Sequence, residues 1–144
     1  MLYAIAAVLL WGSSYAASGF ILRSTIEPLV FYFFYSLAGI VTATLVYFFR
    51  AKNISLLLQI RNLEFTHAGW FLFALVTSSL GAWMTYEAMG AKNATLASLV
   101  EISYPLFVVL FTWLFFRDFQ LHWMTFLGGA FVIVGVFLII KYAS

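Results

Sequence analysis

The chain has 144 residues, 65% of them hydrophobic and 8% charged, with a mean hydropathy of +1.06. A soluble domain carries about 25% charged residues, so the composition excludes a water-soluble domain and specifies an all-α integral, multi-pass membrane protein. Seven basic and five acidic residues form no patch for nucleic acid, and the absence of cysteine removes disulfides, thiolate metal sites and cysteine nucleophiles.

Segments of about 20 apolar residues are long enough to cross a bilayer, and the chain divides into five, forming a single transmembrane domain over residues 1–144. The spans cover residues 2–22, 28–49, 68–90, 94–116 and 123–140. The first resembles a signal peptide at its start. It has no basic leader, and its apolar stretch runs on to Leu22, so it reads as a membrane span. It carries GSSYAASG, residues 12–19, whose small residues allow close approach and whose hydroxyls include the candidate binding residues Ser14 and Tyr15. The second begins at Pro28, which suits a first helical turn, behind Glu27 at the positive end of the helix dipole. Ser36, Gly39 and Ala43 share one of its faces. The connection over residues 51–67 contains ISLLLQI, which suits the membrane surface. His67 and His122 lie at segment edges without a partner at ligand spacing, which fits interfacial residues and no metal site.

The third span ends with Trp83 and Glu87. Glu87 is shallow, and both a binding role and snorkelling to the interface are open to it. Asn93 is placed to cap the fourth span. Along that span Ala94, Ser98, Glu101, Pro105, Val108 and Thr112 recur at spacings of three and four, which makes one small and polar face. Glu101 lies eight residues beyond Asn93, about 12 Å deep at helical rise. A carboxylate near the bilayer centre costs roughly 2.5–3.5 kcal/mol on insertion scales, and such residues mark functional sites. Pro105 removes a helical hydrogen bond to the Glu101 carbonyl, so the acid sits where the helix is expected to break. Tyr104 is a further candidate beside it, and rings near a carboxylate can line an apolar or cation-binding cavity. In the fifth span Gly128 and Gly135 align on one face, as helix-packing positions. Asp118, beside Arg117, fits an interfacial ion pair.

WGSSYAASGFIL, EPLVFYFFYSLAGIV and the run from YEAMGAKNATLASLVEISYPLF through LGGAFVIVGVFLI resemble one EamA-type repeat of the drug/metabolite transporter superfamily. The likeness spans nearly the whole chain and is strongest from Ala94 to Gly135, with Glu101, Pro105, an acid at Asp118 and the GG and G of the last span. Two features depart from the pattern. The family usually fuses two repeats into ten spans, and many members carry a basic residue near the position of Tyr35. An uncharged Tyr35 argues against anionic substrates.

An odd number of spans puts the two ends of a repeat on opposite sides of the membrane, so a fused pair is inverted and binds substrate between its halves. A single repeat needs a second chain, most simply an antiparallel copy, in a homodimer resembling the small multidrug resistance transporters. Arg50, Lys52, Arg61 and Arg117 fall on one side and Arg23, Lys92 and Lys141 on the other, a weak bias that favours a cytoplasmic N-terminus yet suits insertion both ways. The resemblance implies a secondary transporter, exporting a small organic metabolite or drug-like cation from a bacterial inner membrane. Glu101 would be the coupling acid, holding a cation when ionised and releasing it when protonated. Two alternatives stand beside it: a carrier of a neutral or zwitterionic metabolite such as an amino acid, and a non-transporting subunit that needs an unlike partner. No P-loop, nucleophile–base pair or metal cluster points to an enzyme or a cofactor.

Overall fold

A computed structural model describes residues 2–23, 25–50, 55–117 and 123–142. Lys52, Asp118 and His122 lie outside the described residues. The described chain forms α1 (Leu2–Leu22), α2 (Pro28–Arg50), α3 (Leu56–Arg61), α4 (Phe65–Ala91), α5 (Ala94–Glu101), α6 (Tyr104–Phe116) and α7 (Trp123–Tyr142), with no strand among the described residues. Backbone polar groups in hydrocarbon must be satisfied within their own segment, which dictates helices. Four stretches are long and apolar enough to cross by length and composition: α1, α2, α4 and α5–α6 taken together; α7 has 20 residues.

The helix ends follow local chemistry. Pro28 opens α2, and its first-turn position costs no backbone hydrogen bond. Asn93 caps α5, its side-chain oxygen accepting from the Leu96 amide at 2.6 Å. The short α3 is capped by Ser55 and exposed. Glu64 and His67 pair at 3.4 Å at the start of α4. The fourth span is two helices, not one. The turn Ile102–Ser103 separates α5 from α6, and Pro105 lies in the first turn of α6, where its missing N–H is harmless. The small, polar face expected to run to Thr112 therefore stops at the break, and Val108 beyond it is 54% exposed.

The up-and-down course gives the bundle two ends. Residues 22, 28, 91 and 94 meet at one, called here the turn end; residues 2, 50, 65 and 116 belong to the other, the open end. α4 packs against α1, α2 and α5, while α7 packs against α5. The buried residues gather toward the turn end: Ser18, Gly19 and Leu22 on α1, Tyr86 and Met89 on α4, and Ala97 on α5. Close approach there needs glycine. A Cβ at Gly19 would stand 2.4 Å from the Cβ of Ala94, and one at Gly90 would stand 2.8 Å from Cγ of Pro28. The Tyr86 ring meets Phe31 and Tyr35 edge-on at 4.9 and 5.2 Å, and the Tyr32 and Ser79 hydroxyls touch, so α2 is fastened to α4 by aromatic and polar contacts.

Gly128 and Gly135 do not pack within the chain as the alignment of small residues suggests. A Cβ at either would meet nothing within 4 Å. Gly129 is the packed one, with Leu106 Cδ2 2.4 Å from where its Cβ would be.

Candidate functional site

Glu101 ends α5, about 12 Å from the turn end. Tyr15 on α1 and Thr85 on α4 reach similar depths, seven residues from Leu22 and six from Ala91, so three helices bring one polar side chain each to the same level. The tyrosine hydroxyl donates to Glu101 Oε2 at 2.5 Å, and the threonine hydroxyl donates to Oε1 at 2.5 Å. Both carboxylate oxygens thus have donors. That answers the cost of placing the group in the membrane, since an unpaired buried polar group is what makes such burial expensive.

These three residues form the inner end of a cleft of about 710 Å³. Its α1 wall runs from Ala4 through Trp11 to Tyr15, its α4 wall from Ser78 to Tyr86, and Ser98 and Tyr104 complete it beside Glu101. The cleft therefore extends from mid-membrane toward the open end, and the buried cluster of Ser18, Met89 and Ala97 closes it on the turn side. Among the described residues its lining holds one carboxyl group and no basic side chain. Trp11 meets the Tyr15 ring edge-on at 5.5 Å, which places an aromatic surface next to the acid.

Of the residues singled out in the sequence, Glu101, Tyr15, Ser98 and Tyr104 come together in this cleft. Ser98 turns its hydroxyl to the Thr95 carbonyl at 2.9 Å, and Tyr104 is 65% exposed at the rim. The others lie elsewhere. The Ser14 carbonyl accepts from the Ser18 hydroxyl at 2.7 Å, a contact within α1. Trp83 Nε1 donates to Glu87 Oε1 at 3.0 Å on an exposed face of α4. Glu87 borders a separate, shallow depression with Arg23 and Glu27 at the turn end. Pro105 shapes the break without lining the cleft. Thr85 is the participant that inspection of the sequence passes over. Its signal is faint but present: Ser78, Ala82 and Thr85 lie at spacings of four and three, a small and polar stripe on α4. Tyr35, where a basic residue is common in the resembling family, fills its space with a ring against Tyr86.

Among the described residues no group of three or more His, Asp or Glu side chains is placed to hold a metal ion. The sequence model of the EamA-like transporter family matches residues 1–141. The chain belongs to that family. It is accordingly an integral membrane transporter of the drug/metabolite superfamily, a class of transporters and not of enzymes. No curated protein and no solved structure matches this EamA-like chain.

Proposed function

We propose that two antiparallel copies of this chain form a secondary transporter that exports a small organic cation, with Glu101 binding cation and proton by turns, in a bacterial inner membrane. The observation that carries the reading is the charge of the cleft: among the described residues, one carboxyl, no basic side chain, and aromatic walls from Trp11 and Tyr15. An ionised acid in so apolar a lining attracts a cation far more strongly than it would in water. A proton on the same oxygens removes that attraction, so the two ligands exclude each other and one gradient can drive the other.

The antiparallel pairing draws support from the fold. An odd number of spans and a near-even basic count on the two sides suit insertion both ways. The cleft is lined by α1, α4, α5 and the start of α6, and an inverted copy would supply a further wall. The open glycine face of α7 suits contact between copies.

The test is uptake into proteoliposomes of a panel of organic cations and amino acids, with and without a pH gradient. Gradient-driven uptake of cations is the expected result. Uptake of amino acids alone would replace the cation by a zwitterion, and activity that appears only when an unlike protein is added would replace the homodimer.

A further inference from the structure

Glu101 is fastened from two sides, by Tyr15 on α1 and Thr85 on α4. The same three helices close the cleft at the turn end. One turn beyond Tyr15 lie Ser18 and Gly19, one turn beyond Thr85 lies Met89, and one turn before Glu101 lies Ala97. This seal is made of small and apolar side chains, and its α1–α5 contact is the approach of Gly19 to Ala94. Such contacts supply van der Waals attraction without directional bonds. The hydroxyl–carboxyl clasp directly beneath them is directional.

Tyr15, Thr85 and Glu101 all line the cleft, so a ligand coming from the open end meets the oxygens that the two hydroxyls hold. We propose that Tyr15 and Thr85 are positioning residues that couple occupancy of Glu101 to the seal: with both hydroxyls on the carboxylate the seal is shut, and a cation that takes those oxygens releases α1 and opens it. This rests on reading Glu101 as the cation-binding acid. A cation without acceptor atoms, such as tetraphenylphosphonium, brings charge but nothing for the freed hydroxyls to bond, so α1 loses its directional tie to α5 when the site fills.

The test uses a thiol in the seal. The chain has no cysteine, and Ser18 is 2% exposed, so Ser18→Cys places a single shielded thiol there. Its rate of reaction with a maleimide reports opening, and does so whichever way the chain is inserted. In this background Tyr15→Phe with Thr85→Val is expected to raise the rate at least about tenfold, the factor that corresponds to about 1.4 kcal/mol. Thr85→Ser, which keeps the donor, should leave the rate low, whereas Thr85→Val alone should raise it. Saturating tetraphenylphosphonium should raise the rate when Glu101 is present and have no effect with Glu101→Gln. An unchanged rate in the folded Tyr15→Phe, Thr85→Val protein overturns the proposal, as does an equal rise with Thr85→Ser and Thr85→Val. Tetraphenylphosphonium that binds, by calorimetry, without moving the rate overturns the coupling and leaves the cation reading intact. If it and the other organic cations of the panel fail to bind, the cation reading falls, and the hydroxyl variants alone decide the clasp.

Discussion

Gly19→Ala is the sharpest probe of how the turn end is built. The new Cβ would stand 2.4 Å from the Cβ of Ala94, about 1 Å inside ordinary contact, and its Cα neighbour is only 3.5 Å away. Neither atom belongs to a flexible side chain that can swing aside. α1 and α5 must move apart as backbones, and the loss extends to Ser18 and Ala97 beside them. Overpacking of this kind costs about 1–3 kcal/mol, which for a chain of this size lowers the melting temperature by roughly 3–10 °C. The assay is thermal unfolding in detergent of four proteins: unmodified, Gly19→Ala, Ala94→Gly, and the pair. Ala94→Gly alone removes a methyl from the first turn of α5 and should cost under about 1 kcal/mol. In its presence Gly19→Ala should lose most of its effect, because the offending methyl has been moved across the contact and not added to it. The coupling between the two sites is expected at about 1 kcal/mol or more, as for residues in contact. A Gly19→Ala protein that melts like the unmodified one, or a pair whose losses simply add, refutes the close approach of α1 to α5.

Further expectations separate the two acids, the glycines and the two orientations. Glu101→Gln, which keeps size but cannot ionise at ordinary pH and offers one acceptor oxygen where the acid offers two, should abolish gradient-driven cation uptake in proteoliposomes while the protein still inserts; Glu87→Gln, on the exposed face of α4, should keep at least about a fifth of the rate, since a surface contact of this kind is worth under about 1 kcal/mol. Gly128→Leu should leave unfolding of the single chain nearly unchanged, because Gly128 is exposed and a Cβ there meets nothing within 4 Å, yet weaken association between copies, as should Gly135→Leu, read by cross-linking or sedimentation in detergent. Adding lysines beside Lys92 and Lys141 should fix one orientation and removing Arg23 and Lys92 the other, each nearly inactive alone and active when co-expressed; a reporter at Ser144 checks the orientation, and unmodified protein that is active with its C-terminus on one side only contradicts the antiparallel dimer.

What could be seen in the sequence was what one segment decides by itself. Span positions follow from runs of apolar residues, and the α5–α6 break follows from Pro105, whose ring cannot continue the helix against the Glu101 carbonyl. Asn93 caps from its own helix. The site was half visible, because Glu101 is costly in lipid wherever it points, while its partners depend on which helices lie alongside. Thr85 is one hydroxyl among several on α4, and only the packing of α4 against α5 selects it. Glycines were harder still. Gly19, Gly90 and Gly129 are pressed against neighbours while a Cβ at Gly128 or Gly135 would meet nothing within 4 Å, and nothing in the spacing of small residues distinguishes the two kinds.

The length of α4 ties the cleft to the lipid around it. Its 27 residues extend about 40 Å at helical rise, against about 31 Å for the 21 residues of α1 and a hydrocarbon layer of about 30 Å. The Gly90–Pro28 contact pins one end of α4, so the surplus length falls at the other, where the cleft has its mouth. A helix too long for its bilayer leans, and leans less as the bilayer thickens. α6 must follow any such change of tilt, because the Trp70 ring near the open end of α4 meets Phe115 and Phe116 of α6 at 5.3 and 5.0 Å. A membrane that thickens would draw α4 and α6 upright together, and one that thins would lean them together.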